Sequence, residues 1–310
     1  VLPPGALVQS ETRITLLAGG VGGARLAVGF DRLEGVRLTV IVNVADDDVM
    51  YGQYVAADLD TVTYTLAGEQ GPAGWGRRDD TWHVMTELSE LGVDTSFRLG
   101  DSDLAVTMYR TLRLAAGVPL SQITAEIRHR FGIGARLLPA SDDPIRTRLT
   151  TTGGEELSFQ DYFVLRRHQD PISRVRYVGA GQARPAPGVL EAIGEADVVV
   201  IAPSNPILSI LPITAVPAIG QAIADCDTVV AVSPLVGGKA VKGPAVELLE
   251  AAGHPPGHEG IITAYAGLIT HLMVDDAFTS PLMATSRTDT MIGDPIQAAR
   301  LASEVIRWVL

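Results

Sequence analysis

The feature that most restricts the fold is a strand-like run that stops at a glycine turn and resumes as a helix. Arg13-Ile-Thr-Leu-Leu-Ala18 leads into Gly19-Gly-Val-Gly-Gly23, and Ala24 to Leu33 then has helical spacing. Glycines let a backbone approach an anion closely, and the N–H groups of the following helix point at the same place. Strand, glycine turn and helix open a doubly wound sheet. Leu38-Thr-Val-Ile-Val42, Asp197 to Ala202 and Thr228 to Ser233 are continuous apolar runs, the pattern of parallel strands buried on both faces. Aromatic residues are only 5% of a chain that is 46% apolar, so the core is built from Ala, Val, Leu and Ile. The fold class predicted is α/β: a Rossmann-like, doubly wound, mostly parallel sheet with an inserted smaller α+β subdomain.

Residues 13–104 and 181–310 are expected to form the sheet domain, with 1–12 a short N-terminal tail and 105–180 the insert. Helices are predicted over Thr81 to Leu91, Asp101 to Ala116, and Gln122 to Phe131, the last with Ser121 as N-cap. Arg136 to Pro139, Ile145 to Thr152, Glu156 to Phe163 and Arg174 to Val178 read as short strands of the insert. Val189 to Gly194, Val216 to Ala224 and Gln297 to Val309 read as helices of the returning sheet domain.

The formal net charge is −12, a field that repels nucleic-acid phosphates and argues against such a partner. A lone cysteine, Cys226, rules out an intrachain disulfide and a Cys-based zinc site. No apolar run reaches the roughly 18–20 residues that span a bilayer. Val1 to Thr12 has no basic region ahead of an apolar stretch, so a signal peptide is not expected and the cytoplasm is.

In open parallel sheets ligands bind beyond the carboxyl ends of strands, near a switch in strand order. Four predicted strand ends carry unusual residues: Gly19 to Arg25, Asn43 to Asp48, Pro203 to Pro206, and Ser233 to Lys239. The first has neither the full G-x-G-x-x-G spacing nor a Walker Lys-Ser/Thr pair, which leaves Arg25 to reach a phosphate. Asp46-Asp47-Asp48 with Asp58 and Asp60 supply hard oxygen ligands of the kind Mg²⁺ takes beside phosphate oxygens, and are also what a solvated acidic loop would contain. Ser204 and Asn205 stand between stiffening prolines. Gly237-Gly-Lys239 and Lys242-Gly243 form a second flexible cradle. Asp101 sits at a predicted helix start, where it serves as cap or as site residue. Arg98 beside it has the charge to orient an anion. Trp82 reads equally as core or as a stacking platform. His254 and His258 lie in a Pro/Gly loop and read as a solvated surface pair, and no G-x-S-x-G elbow is present.

As an ordered set these segments resemble the 2-phospho-L-lactate transferase family of coenzyme F420 biosynthesis, whose actinobacterial form is named phosphoenolpyruvate transferase. The stretches that carry the resemblance are Gly19 to Arg25, Val42-Asn-Val-Ala-Asp-Asp47, Asp58-Leu-Asp-Thr61, Gly74-Trp-Gly76 with Thr81-Trp82, Leu99-Gly-Asp101 with Asp103, Ala135 to Asp142, Phe159-Gln160, Ala202-Pro-Ser-Asn-Pro206 with Ser209-Ile210, and Ser233-Pro234. The resemblance implies transfer of a phosphoenolpyruvyl or 2-phospho-L-lactyl group from a guanosine diphosphate donor to the ribityl hydroxyl of the deazaflavin Fo, releasing GMP. It implies Mg²⁺ held by Asp46 and Asp60, either of which would also serve as base. Gly20, Gly22, Gly23 and Arg25 would hold donor phosphates, and Ser204, Asn205 and Ser233 the guanosine. Asp60, Thr61, Trp82, Arg98 and Asp101 would face the deazaflavin, and a homodimer is expected. The chain departs from the family in reading Gly100-Asp-Ser-Asp103 where Gly-Asp-Arg-Asp is common, and it matches weakly after Gly243. Two rival readings are a nucleotide-sugar-binding regulator of a related family, which shares the glycine loop but not Asp58-Leu-Asp-Thr61, and an NAD(P)-dependent oxidoreductase.

Overall fold

Seven strands of the computed structural model form one sheet, and every adjacent pair in it is parallel. The structure describes residues 11–241 and 243–310, so Lys242 and nearly all of the expected tail lie outside the described residues. Numbered along the chain, the sheet strands are β1 (Thr12–Ala18), β2 (Val36–Val42), β3 (Arg136–Pro139), β4 (Val198–Ile201), β5 (Val229–Val232), β6 (His271–Val274) and β7 (Ala284–Arg287). Their spatial order is 7-6-5-4-1-2-3. The order reverses between β1 and β4, so the crevice at their carboxyl ends is the switch point where such sheets bind ligands. β4 and β5 are buried along their whole length, because helices cover both faces of the sheet and leave no solvated side.

Five helices lie between β1 and β3: α1 (Gly20–Asp31), α2 (Ala57–Leu66), α3 (His83–Glu90), α4 (Asp101–Ala115) and α5 (Leu120–Arg130). α1 begins inside the glycine run, four residues before its apolar spacing starts. It packs on α2 and on the closing helix Pro295–Val309. A hairpin, Asp48–Met50 with Gln53–Val55, and a three-stranded antiparallel sheet, Arg146–Thr151 with Glu156–Ser158 and Ile172–Val178, stand apart from the main sheet.

Three expectations change. The segment 105–180 is not one continuous insert, since Arg136–Pro139 pairs in parallel with β2 and completes the main sheet. Its four residues, ending in proline, are too short to declare their partner, and only the long-range pairing does so. Glu156 to Phe163 is a strand only as far as Ser158 and then turns through a π-helical segment, Asp161–Leu165. Ser121 does not cap α5. It lies inside the helix, where its N–H donates to Asp142 at 2.6 Å and its hydroxyl lies 2.8 Å from the same carboxylate. Strands β6 and β7 and the helices Ala245–Ala251 and His258–Ala264 were not legible in the weakly patterned last third. Among the described residues, no single helix is long and apolar enough to cross a membrane.

Candidate active site

A cavity of about 630 Å³ opens at the carboxyl ends of β1, β2, β4 and β5. All four chemically unusual strand ends reach it. The glycine loop contributes Gly19, Gly20, Gly22 and Arg25. The β2 end contributes Asp46, the β4 end Ser204 and Asn205, and the β5 end Ser233. Gly20 holds φ +62°, the left-handed region glycine enters freely. A Cβ on Gly22 would meet the Pro203 carbonyl oxygen at 2.2 Å, so the turn after β1 lies flush on the turn after β4. Gly23 does not line the cavity. It packs behind the loop against Ala18 and Ser204.

The loop is held from below by Asp58. Its carboxylate accepts the Gly20 N–H at 2.7 Å and the Asn43 side-chain amide at 2.9 Å. Asn43 also donates to the Leu208 carbonyl at 3.3 Å. One buried amide therefore links the β2 end, α2 and the helical turn after β4. Asp58 and Asp60 both lie in the first turn of α2, where the helix dipole favours carboxylates. Being two apart, they leave the helix on different sides. Asp58 meets the glycine loop, and Asp60 meets Arg110 of α4.

Arg110 is the functional neighbour that sequence reasoning missed. It is buried, its Nη1 lies 3.1 Å from Asp60 Oδ2, and its Nη2 bonds the other Asp60 oxygen. The only sequence signal is an arginine on the buried Leu104-Thr107-Arg110 stripe of α4. Nearby, Asp103 accepts the Tyr64 hydroxyl at 2.7 Å. Burial and the charge of Asp60 push the Asp103 carboxyl up to about 7.

The described buried residues include the carboxylates of Asp46, Asp47, Asp58 and Asp60 and one guanidinium, Arg110. Both Asp60 oxygens already face Arg110. Asp46 and Asp58, which face the cavity, are left without a cation. Burial raises Asp46 far above the ordinary carboxylate range, the charge of Asp58 adds to it, and a 3.1 Å hydrogen bond from Thr147 opposes it. Burial takes Asp58 up to about 6, against the hydrogen bonds from Asn43 and Gly20. Two desolvated carboxylates that repel each other at the edge of a cavity are a donor set suited to a hard divalent cation. Asp60, by contrast, is pushed up by burial and pulled back by Arg110. The residues fit Mg²⁺: Asp46, Asp58 and Asp60 all line the cavity, Asp60 with both oxygens on Arg110 and Asp58 with its oxygens on the neutral Gly20 N–H and Asn43 amide.

Other expectations are redistributed. Thr61 and Arg98 line the cavity. Trp82 does not. The Arg98 guanidinium stacks 4.5 Å from its ring centre, and Trp82 packs on the small cluster of Val55, Met85, Leu99 and Leu104. The aromatic wall is made by Trp75, Phe97, Phe159 and Phe163, of which Phe159 and Phe163 stack with centroids 5.3 Å apart. Asp101 does not line the cavity either. Its carboxylate takes the His83 and Val84 N–H groups at 3.0 Å each and so closes the start of α3. Asp80 does the same for α4, accepting from Ser102 and Asp103. Ser102 is exposed and outside the cavity, so the departure from Gly-Asp-Arg-Asp does not alter the cavity wall directly.

The segment after Gly243 does contribute, through Ala245, Thr290, Met291 and Ile292. The Ile292 carbonyl accepts from Arg25 at 2.7 Å and sets its direction. His258 is not a surface residue. It is buried, hydrogen-bonded at 3.0 Å to Ser233 and at 2.9 Å to Asp276. Its sequence context of proline and glycine concealed this, because the partners lie on two other strand ends. Cys226 is half-buried and hydrogen-bonds the Ala222 carbonyl at 3.2 Å, a packing role.

Fold and cavity together define an α/β protein with a candidate site at the switch point of a parallel sheet. Residues 14–306 match the family described as 2-phospho-L-lactate transferase CofD. A phosphoenolpyruvate transferase of Streptomyces coelicolor is 45% identical over 304 residues, covering 96% of this chain and 91% of that protein. A 2-phospho-L-lactate transferase of Methanopyrus kandleri is 39% identical, covering 96% and 97%. The crystal structure of protein BH3568 from Bacillus halodurans aligns over 96% of this chain and 99% of its own with a TM-score of 0.65 at 19% identity, a likeness of fold alone. The chain belongs to the CofD family and is a transferase.

Proposed function

We propose that this enzyme moves a phosphoenolpyruvyl or 2-phospho-L-lactyl group from a guanosine diphosphate donor to the terminal ribityl hydroxyl of the deazaflavin Fo, in coenzyme F420 biosynthesis. One observation carries the reading: a single cavity joins an amide-lined glycine loop to two cation-deficient carboxylates, Asp46 and Asp58, with an aromatic wall beside them. Its volume of about 630 Å³ is in the range of small-molecule sites.

In the transfer, the hydroxyl oxygen forms a bond to the phosphorus carrying the acid, the bond from that phosphorus to the bridging oxygen breaks, and GMP departs with the electron pair. The hydroxyl proton passes to a carboxylate. Such chemistry asks the protein for alignment and charge neutralisation. The Gly20 and Gly22 turn and Arg25 hold the diphosphate, and Arg25 keeps its direction from the Ile292 carbonyl. Asp58 keeps the Gly20 N–H in place, and with Asp46 would hold Mg²⁺, which when bound supplies charge neutralisation at the diphosphate. Asp46 is the acceptor of the hydroxyl proton. Asp60 positions α2 and α4 through Arg110. Asn205 uses its side-chain oxygen to cap Ile207 and Leu208 at 3.0 and 3.1 Å, which leaves its amide N–H groups for the nucleoside. Trp75, Phe159 and Phe163 form the wall for the deazaflavin ring.

The test is incubation with Fo, guanylated phosphoenolpyruvate or phospholactate, and Mg²⁺, following GMP and the deazaflavin product. Release of GMP only when Fo is present supports the reading. No GMP with either donor refutes it.

A further inference from the structure

Ser233, His258 and Asp276 form a hydrogen-bonded chain that runs from the cavity wall to the surface, and the transfer chemistry above makes no use of the last two. His258 Nε2 lies 2.9 Å from Asp276 Oδ1. A carboxylate accepts only, so in the neutral ring Nε2 carries the hydrogen and Nδ1 is a lone pair. Nδ1 lies 3.0 Å from Ser233 Oγ, so in the neutral state of the ring the serine donates to it. The Leu235 N–H approaches the same oxygen at 3.1 Å and occupies one of its lone pairs. Ser233 is buried and lines the cavity. Among the described residues its donor and one lone pair are spent, which leaves one lone pair for a ligand. The ring is also held in place by Phe278, 5.1 Å away between centroids. Asp275, next to Asp276, is engaged separately by the Gly237 N–H at 2.9 Å.

This constellation has the connectivity of an activated nucleophile, but its place in the sheet speaks against that use. Ser233 follows β5, two strands from β1 and the glycine loop. At about 4.8 Å per strand that is roughly 10 Å from the phosphate cradle, the reach of a nucleoside and not of the reacting phosphorus.

We infer that His258 and Asp276 are positioning residues that fix Ser233 as a hydrogen-bond acceptor, so that this end of the cavity takes a nucleotide base through an N–H donor that the base presents. The inference rests on the nucleotide reading above for its ligand. It does not rest on it for the hydrogen-bond polarity, which is a property of the free protein.

Two measurements test it. The first is nitrogen-15 NMR of the histidine rings in the ligand-free protein near neutral pH. Wherever the His258 ring is neutral, a single tautomer protonated at Nε2 is expected in the wild type. In Asp276→Asn the amide can accept from or donate to Nε2, and the tautomer is expected to become mixed or reversed. A wild-type ring protonated at Nδ1, or a tautomer unchanged in Asp276→Asn, overturns the inference. The second is calorimetric binding of GDP and of inorganic pyrophosphate to wild type, Ser233→Ala, His258→Phe and the double variant. GDP is expected to weaken about tenfold in each single variant and no further in the double, since both remove one interaction. Pyrophosphate affinity is expected to stay within twofold, which a misfolded site would not allow. Additive losses in the double variant, or equal losses for pyrophosphate, overturn the inference. If GDP fails to bind the wild type while the tautomer behaves as stated, the nucleotide reading fails and the relay stands.

Discussion

Replacing Arg110 by methionine removes the buried guanidinium that pairs with Asp60. Methionine keeps much of the side-chain stem and removes the charge, so packing changes little while Asp60 is stranded. Arg110 is 2% exposed and Asp60 6%, and removing one partner of a buried pair costs about 3–5 kcal/mol because the other charge is left uncompensated. At roughly 2.1 cal/mol/K per residue, a chain of this length loses about 5–8 °C in Tm. The loss has a pH signature. Burial already raises the Asp60 carboxyl and Arg110 opposes that rise. Without the arginine, the folded state takes up a proton that the unfolded chain has released above about pH 4. The deficit is therefore small at low pH and grows as pH increases. Asp60→Leu in the Arg110→Met background removes the stranded charge and is expected to return most of the stability. The assay is thermal and urea unfolding of wild type, both single variants and the double between pH 5 and 8. A single-variant cost below about 1 kcal/mol, or single costs that simply add in the double, would refute the claim that the pair acts as a unit.

Asp58→Asn is expected to lower turnover at least a hundredfold and weaken Mg²⁺ binding, followed by GMP release and metal titration; unchanged metal affinity would remove Asp58 from the donor set. Gly22→Ala is expected to weaken pyrophosphate binding more than Gly20→Ala. A Cβ at 22 meets the Pro203 carbonyl, whereas one at 20 has open space and only the positive φ to contend with, a cost of about 1–2 kcal/mol; calorimetry on the two variants gives the order. Asp47 is buried away from the cavity, and burial raises its carboxyl to about 8 against the hydrogen bond from Tyr54. Because the folded pKa lies above the unfolded one, its contribution is fully present below about pH 4 and is lost as pH rises through 8, with a ceiling on the order of 5 kcal/mol. Asp47→Asn, which still accepts from Tyr54, is expected to flatten this part of the stability-pH curve, and a curve that keeps its slope would count against it.

The parallel sheet and the four strand ends that line the cavity were legible because the signals are local and strong: β-branched runs bounded by glycine, proline and aspartate. β3 was missed as a member of the main sheet, since four residues contain no periodicity that distinguishes edge strand from insert. Asp58 was read as one of several acids, and Asp60 was preferred as metal ligand. The structure puts both in the first turn of α2, and their two-residue spacing alone could not say which faces the glycine loop and which faces Arg110. Trp82 and Asp101 adjoin cavity residues in sequence, yet one is turned into a small apolar cluster and the other spends its carboxylate on the start of α3.

By itself the sequence determined the layer architecture, the glycine turn at the switch point, the excess of carboxylates there, and the family. Those depend on short stretches of chain, where side-chain period and backbone freedom act within a few residues. Only the tertiary structure decided the partners: Arg110 with Asp60, Asp58 beneath Gly20, Ile292 steering Arg25, and His258 turned inward between Ser233 and Asp276. Each of these joins residues far apart in the chain, and the low dielectric of their burial gives the contacts their strength. No local pattern records which distant groups the fold will enclose together.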